Sequence, residues 1–273
     1  MFRNNANEKQ RVAKQGSTSM AGIIYVLGST RSGTSAIRNA LGETQYKGYG
    51  EGHLAPILVD MIATIRRHNS SGLGHDEPGN GLYKLRPFVL LRHLFHGYER
   101  YLVEEIGSEY IVDKTPTITP ILAAPDLNKF HKNVKFIHCS RRHVDNIHSK
   151  LKKFPEKDIA HHTREWADTN AAWLDIRDEL DENFVEFDFH QLATDPDSVA
   201  KLIGEYIGVD EDVIGKMAAY LHSQRPEAAP DRDLTKFLKL SEVDWSDEDK
   251  AVFTSIAEDV GERLGYGFED YFA

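Results

Sequence analysis

Short apolar runs alternate along the chain with segments in which apolar residues recur every three or four positions. The runs predict five β-strands, at Ile23 to Leu27, Gln45 to Tyr49, Tyr110 to Val112, Val134 to Cys139 and Phe184 to Phe187. Strands that alternate with helices are typical of a parallel sheet covered by helices on both faces. The pattern therefore predicts a single α/β domain built on a five-stranded, doubly wound parallel sheet.

Helical spacing is clear in five segments between and after these strands. The segments are Leu54 to Ile65, Phe88 to Leu102, Trp166 to Leu180, Pro196 to Gly208 and a last one from Ser246 to about Gly265. Each places its apolar side chains on one face, which predicts an amphipathic helix packed against a core. The fourth also has an N-cap residue, Asp195, and a glycine, Gly208, just beyond its end.

Three stretches lack this periodicity. Residues 1–20 are mostly polar and predict a flexible tail, which leaves residues 21–273 as one domain. Asn69 to Lys84 and Arg225 to Lys236 are rich in glycine, proline or charge, and we expect mobile loops there. Loops of this length act either as lids over a substrate or as plain connectors, and the sequence favours neither role.

Composition narrows the class of protein. Of the 273 residues, 40% are hydrophobic and 28% are charged, as in one soluble globular domain. The net charge of −10 argues against general nucleic-acid binding, and no apolar run approaches the roughly 20 residues that span a membrane. The N-terminus lacks the apolar region of a signal peptide, and the single Cys139 predicts a buried thiol. We therefore expect a cytoplasmic protein with no nucleic-acid or membrane partner.

The stretch from Gly22 to Gly42 joins an apolar run, a turn of small residues and a helical pattern, as phosphate-binding loops do. Backbone N–H groups at the start of such a helix point at an anion. The loop of nucleoside triphosphatases has a lysine directly after its second glycine, whereas Gly33 is followed here by Thr34. The basic residue lies inside the loop instead, at Arg31. This predicts a shorter, doubly anionic ligand rather than a triphosphate with magnesium.

The five residues from Arg31 to Ser35 read Arg-Ser-Gly-Thr-Ser. This motif resembles the 5′-phosphosulfate loop of sulfotransferases that use 3′-phosphoadenosine 5′-phosphosulfate (PAPS). Its arginine is most similar to that of tyrosylprotein sulfotransferases and their bacterial relatives. The resemblance implies a P-loop-like domain, PAPS as the sulfuryl donor and no metal. It also implies that the phosphosulfate is bound by the loop residues Arg31, Ser32, Gly33, Thr34 and Ser35.

The same family follows a later strand with an arginine and, eight residues on, a serine, which bind the 3′-phosphate of the nucleotide. Arg141 follows the predicted strand that ends at Cys139, and Ser149 lies eight residues after Arg141. The resemblance assigns this pair to the 3′-phosphate, since a guanidinium matches phosphate geometry. The alternative is an exposed arginine at a strand end. A basic residue from the C-terminal region usually closes over this phosphate, and the candidates are Arg225, Lys236 and Lys239.

The resemblance further implies three catalytic residues. Tyrosylprotein sulfotransferases carry a glutamate that acts as the base about 20 residues beyond the loop arginine, and Glu51 lies 20 residues after Arg31. A partly dehydrated carboxylate beside an acceptor hydroxyl can take its proton as the bond to sulfur forms. Lys114, in the motif Val-Asp-Lys-Thr-Pro, and Arg31 would stabilise the leaving phosphate. His53 is the alternative base. Glu51 could alternatively have only a structural role, as an acidic residue at the start of a helix that the helix dipole favours.

Two other functions stay open at the level of sequence. A small-molecule kinase with a P-loop would need the missing lysine and an aspartate for magnesium, for which only Asp113 is suitably placed. A binding protein without catalysis would not need Arg31, Glu51 and Lys114 together. The acceptor, a hydroxyl on a small molecule or a peptide, and the oligomeric state are not specified.

Overall fold

The structure, a computed structural model, describes residues 22–70, 86–223 and 236–266. In this part of the chain four parallel strands form one sheet. They are β1 (Gly22–Leu27), β2 (Tyr110–Lys114), β3 (Val134–Ser140) and β4 (Phe184–Asp188), in the spatial order β2-β1-β3-β4. The chain therefore crosses from one side of β1 to the other after β2. Ligands of open parallel sheets bind where the winding reverses in this way, beyond the carboxyl ends of the strands.

Helices cover both faces of this sheet. Among the described residues they are α1 (Thr34–Ala40), α2 (Leu54–Ser70), α3 (Pro87–Ile106), α4 (Ile118–Phe130), α5 (His143–Lys153), α6 (Ile159–Ile176), α7 (Phe189–Thr194), α8 (Pro196–Ile207), α9 (Glu211–Ser223) and α10 (Asp247–Arg263). Short 3₁₀ segments occur at Leu41–Glu43, Arg177–Leu180 and Leu240–Glu242. The predicted α/β architecture with helices on both faces is confirmed.

Alternation along β1 divides the core in two. Ile23, Tyr25 and Leu27 belong to a cluster with α2, α3 and α4, whereas Ile24 and Val26 belong to a cluster with α1, α8 and α9. All five side chains are buried. Because successive residues of a strand point to opposite faces, burial on both faces explains the unbroken apolar run of β1. A third cluster joins α5, α6 and α10.

The residues predicted to cap α8 are confirmed, and α10 has a side-chain cap of the same kind. Asp195 accepts a hydrogen bond from the backbone N–H of Ser198 at 3.1 Å, and Gly208 ends α8 with a φ of 77°. Ser246 likewise caps α10 by accepting from the N–H of Asp249 at 3.1 Å. These side chains satisfy N–H groups that have no partner inside the helix, so they fix where each helix begins.

The predicted strand from Gln45 to Tyr49 is wrong. Lys47 alone pairs with β2, through two backbone hydrogen bonds of 2.8 and 2.9 Å. Alternate residues of a strand bond to the same neighbour, so Tyr49 would continue the ladder. Its carbonyl instead accepts a hydrogen bond from Arg38 Nε of α1 at 2.8 Å. A side chain thus takes the backbone group that the ladder needs, and the sheet of the described residues has four strands rather than five.

Several predictions concern residues outside the described ranges. These are the tail at residues 1–20, residues 71–84 of the first loop and residues 225–235 of the second. Asn69 and Ser70, which the sequence predicts in the first loop, are instead the last two residues of α2. No helix in the described ranges is long and apolar enough to cross a membrane.

Candidate active site

The loop between β1 and α1 contains three residues in the left-handed region of backbone space. Their φ angles are 139° at Gly28, 70° at Arg31 and 94° at Gly33. A Cβ at Gly28 would lie 2.3 Å from the carbonyl oxygen of Cys139, so only glycine fits between β1 and β3 there. A Cβ at Gly33 would lie 2.8 Å from the ring of Phe189. These turns bring the start of α1 to the carboxyl ends of β1 and β3, as expected of an anion-binding loop.

Asn146 of α5 holds this loop in shape. Its side-chain amide lies within hydrogen-bond distance of Ser29 Oγ (3.2 Å), Thr30 O (3.1 Å) and Ser32 Oγ (3.1 Å), and Asn146 is fully buried. The thiol of Cys139 donates to the Ser32 carbonyl. Burial raises the pKa of this thiol well above 9.0, so it remains a neutral donor, and the predicted buried thiol is confirmed. The loop is therefore braced from two elements that follow it in the chain.

The pair assigned to the 3′-phosphate lies against the same loop. Arg141 Nη1 donates to the carbonyl of Arg31 at 2.8 Å, and its guanidinium stacks on the ring of Phe189 at 4.2 Å. Arg31 Nε in turn donates to Ser149 Oγ at 3.1 Å. Trp166 fixes the backbone beneath, because its indole N–H donates to the Arg141 carbonyl at 2.8 Å. The structure thus joins the loop arginine, Arg141 and Ser149 in one cluster.

A second cluster lies at the carboxyl end of β2. Lys114 Nζ donates to Glu51 Oε1 at 2.7 Å and to Ser35 Oγ at 3.2 Å. The lysine side chain is 3% exposed and the glutamate side chain 52% exposed. Two of the three predicted catalytic residues therefore meet beside the last residue of the loop motif. The third, Arg31, directs its Nε to Ser149 in the first cluster.

Lys114 controls the charge of Glu51. Its hydrogen bond lowers the pKa of Glu51 below the ordinary value of 4.5, and this effect outweighs partial burial, which raises the pKa. Glu51 is therefore ionised at neutral pH, and it is half exposed and paired rather than dehydrated. His53 Nε2 lies 3.5 Å from Glu51 Oε2, and the histidine side chain is 54% exposed. The two candidate bases are thus neighbours.

Asp113 supports this cluster from within the sheet. The residue is 1% exposed, and its two oxygens accept hydrogen bonds from the Ala55 N–H and the Thr115 hydroxyl, each at 3.3 Å. A Cβ at Gly52 would lie 2.3 Å from Asp113 Oδ1. Burial raises the pKa of Asp113. These contacts anchor the turn that carries Glu51, and they occupy the aspartate that a kinase would need for magnesium.

A lysine of the C-terminal region lies beside Arg141. Lys236 lines a small pocket together with Arg141 and Arg142. Lys239 begins a 3₁₀ segment and is not part of that pocket, and Arg225 lies outside the described residues. Of the three candidates, Lys236 is therefore the one that the described residues place near Arg141.

Sequence reasoning missed two residues of this site, Asn146 and Trp166. Asparagine is an unfavourable residue in the interior of a helix, so its presence five residues after Arg141 is a signal that could have identified it. Trp166 fitted a core pattern, and it is indeed fully buried. Its contact with the Arg141 carbonyl joins residues 25 positions apart, which no local pattern records.

Comparison with known proteins gives a consistent result. The family model described as "Sulfotransferase family" matches residues 24–212. The sulfotransferase domain of the curacin biosynthetic pathway has 16% identity and a TM-score of 0.52, covering 91% of this chain and 99% of that one. The sulfotransferase domain of the Synechococcus PCC 7002 olefin synthase has 19% identity and a TM-score of 0.52, covering 92% and 98%.

Sulfotransferase STF9 from Mycobacterium avium has 16% identity and a TM-score of 0.51, covering 94% of this chain and 79% of that one. At such identities the likeness to these structures is one of fold. Comparison with curated protein sequences gives no match.

Proposed function

The chain belongs to the sulfotransferase family, and we propose that it transfers a sulfuryl group from PAPS to a hydroxyl group of an acceptor. The observation that carries the proposal is the cluster at the end of β2. There a buried lysine lies 2.7 Å from a carboxylate and 3.2 Å from a loop hydroxyl. A base for the acceptor and a cation for the leaving group, side by side, are what such a transfer needs.

The residues around the loop suit a donor with two anionic ends. Hydroxyl and guanidinium donors bind phosphate and sulfate without a metal. We assign the 5′-phosphosulfate to Arg31, Ser32, Gly33, Thr34 and Ser35, and the 3′-phosphate to Arg141, Ser149 and Lys236. When bound, PAPS supplies the sulfuryl group and a phosphate that can leave. Residues 21–273 would act as one catalytic domain.

In the proposed reaction Glu51 removes the proton of the acceptor hydroxyl while the hydroxyl oxygen forms a bond to sulfur. The bond between sulfur and the bridging oxygen of the 5′-phosphate breaks, and that oxygen keeps the electron pair. Arg31 and Lys114 stabilise the negative charge that develops there. The products are the sulfated acceptor and 3′-phosphoadenosine 5′-phosphate, and the proton remains on Glu51.

Lys114 also explains how a carboxylate with a lowered pKa can act as a base. In the free protein its hydrogen bond keeps Glu51 ionised and weakly basic. As charge develops on the leaving oxygen, the lysine is attracted to that oxygen and its hold on Glu51 weakens. The pKa of Glu51 then rises at the moment when it accepts the proton. Contact with Ser35 places the lysine between the loop and the base.

The direct test is Glu51→Gln, which keeps the size of the side chain and removes its basicity. We expect turnover to fall by about 100-fold or more, while the affinity for 3′-phosphoadenosine 5′-phosphate stays nearly unchanged. Release of the bisphosphate from PAPS is followed across a panel of phenols, sugars and alkyl alcohols, and affinity is measured by calorimetry. Both assays are run with and without EDTA, which should make no difference. Tighter binding of ATP with magnesium than of the bisphosphate would contradict the proposal.

A further inference from the structure

A cavity of about 470 Å³ opens beside the segment that precedes Glu51. Its walls come from α1, from the segment between α1 and Glu51, from the end of α3 and from β2. The wall residues that matter here are Arg38, Tyr46, Lys47, Tyr49, Glu105 and Val112. The family match and the contacts described above assign no role to this cavity.

Three elements lead from the catalytic cluster into the cavity. Each contributes one residue to the cluster and a second, nearby in the chain, to the cavity wall: Ser35 and Arg38 on α1, Lys114 and Val112 on β2, Glu51 and Tyr49 on the connecting segment. One helical turn or two strand residues correspond to about 5 to 7 Å. Each of the three elements therefore brings the cavity wall to within about 7 Å of the catalytic cluster along the chain.

The walls of the cavity carry more positive than negative charge. Arg38 donates to backbone carbonyls and to the Asn39 amide oxygen, and Lys47 Nζ lies 3.3 and 3.4 Å from two backbone carbonyls. In the described part of the chain neither residue forms an ion pair, although the carboxylate of Glu105 lines the same cavity. Two cations and one carboxylate leave a net charge of about +1, which a single negative charge balances.

Tyr49 adds an aromatic surface to this charge. It is 55% exposed, which is high for a large aromatic residue, and it lies between Lys47 and Glu51 in the sequence. An exposed ring beside cationic groups suits the ring of a ligand with its own polar end. The charge and the ring together therefore favour an acceptor that has a negative charge and an aromatic ring over a plain alcohol.

We propose that this cavity is the acceptor site and that it binds aromatic hydroxyl compounds carrying one carboxylate. The carboxylate binds Arg38 and Lys47, the ring lies against Tyr49, and the hydroxyl reaches Glu51. The inference rests on the proposed function for the chemical step, but the binding it describes can be measured without that step.

The test compares two probes that differ only in charge, 3-(4-hydroxyphenyl)propanoate and its methyl ester. Their affinities are measured by calorimetry in the presence of 3′-phosphoadenosine 5′-phosphate, and their turnover is measured with PAPS. Three variants are used: Lys47→Gln, Glu105→Gln and, as a control at a distant exposed lysine of α8, Lys201→Gln. Lys47→Gln keeps the pairing with β2, because Lys47 makes that pairing through its main chain, and it removes only the long contacts of Nζ with two backbone carbonyls.

We expect wild type to bind the acid about tenfold more tightly than the ester, since one charged contact is worth this much. Lys47→Gln should remove most of that preference, Glu105→Gln should increase it, and Lys201→Gln should leave it unchanged. Opposite shifts from the two cavity variants are a signature that general loss of structure cannot produce.

Equal affinity for acid and ester, or a preference that Lys47→Gln and Glu105→Gln leave unchanged, would overturn the inference. Tight, charge-dependent binding of the acid without any sulfation would instead support the cavity as a binding site and count against the proposed function. The two failures are therefore distinguishable.

Discussion

The loop proposed to bind the donor (the donor loop, residues 28–33) and the segment proposed to lie beside the acceptor (the acceptor segment, residues 47–53) are built in opposite ways. Ser29 and Ser32 of the donor loop are fully buried and bonded to Asn146. Glu51 and His53 of the acceptor segment have side chains that are 52% and 54% exposed. The donor loop is thus anchored by buried side chains, whereas the acceptor segment exposes its side chains at the surface.

The difference follows from what each region would bind. A donor loop binds the same ligand in every reaction. A rigid shape held by buried side chains is therefore no disadvantage there. An acceptor segment must match one particular substrate, and exposed residues on a short connection can vary without disturbing the core. The contrast predicts that changes in the donor loop alter folding and that changes in the acceptor segment alter the reaction.

The largest effect is expected from alanine at Gly28 compared with alanine at Gly50. Gly28→Ala introduces a Cβ 2.3 Å from the Cys139 carbonyl at a φ of 139°, whereas a Cβ at Gly50 meets nothing within 4 Å. We expect Gly28→Ala to lower the free energy of unfolding by about 3 kcal/mol or more. Gly50→Ala should change it by less than about 0.5 kcal/mol. Urea unfolding of both variants measures this, and equal losses would contradict the contrast.

The same contrast explains which features could be predicted from the sequence. The donor loop is specified locally, by small residues between an apolar run and a helical pattern, and the left-handed angles of Gly28 and Gly33 are of the kind that glycine permits. The segment from Gln45 to Tyr49 has strand-like composition, but Arg38 takes its carbonyl, and that competition is tertiary. The conformation of the donor loop is thus determined by its own residues, whereas that of Gln45 to Tyr49 is determined by a distant side chain.

In the candidate site, too, the local features could be predicted from the sequence and the long-range contacts could not. The spacing of Arg141 and Ser149 is local to one strand and one helix, and both residues lie against the loop. The contact of Arg31 with Ser149 joins residues 118 positions apart, and the contact of Lys114 with Glu51 joins residues 63 apart. Such contacts depend on how helices and strands pack, so the sequence indicated the residues but not their partners.

A medium effect is expected at Lys150, which follows Ser149 on the donor side. Its side chain is fully buried, lies 3.4 Å from Glu165 Oε1, and has its pKa lowered to about 8 by burial. Between pH 8 and its ordinary value of 10.5 the unfolded chain holds a proton that the folded chain lacks, so stability rises with pH in that range. Lys150→Met should remove this rise and stabilise the protein at pH 7 by roughly 1 to 3 kcal/mol.

Urea unfolding at pH 7, 8, 9 and 10 measures the effect of Lys150→Met. Lys216→Met, at an exposed position of α9, is the control and should keep the pH dependence of wild type. A rise with pH that survives in Lys150→Met would mean that another group causes it. A loss of stability at pH 7 would mean that the pair with Glu165 outweighs the burial of the charge.

The smallest effect is expected at His53, and it decides between the two candidate bases. His53 has a φ of 49°, a conformation that asparagine tolerates better than alanine does, so His53→Asn removes the imidazole with little backbone strain. Because Glu51 is ionised at neutral pH and already paired with Lys114, we expect His53→Asn to keep turnover within about threefold of wild type. Its free energy of unfolding should change by less than about 0.5 kcal/mol, as for other exposed side chains. Steady-state kinetics beside Glu51→Gln make the comparison, and an inactive but folded His53→Asn with an active Glu51→Gln would transfer the role of base to the histidine.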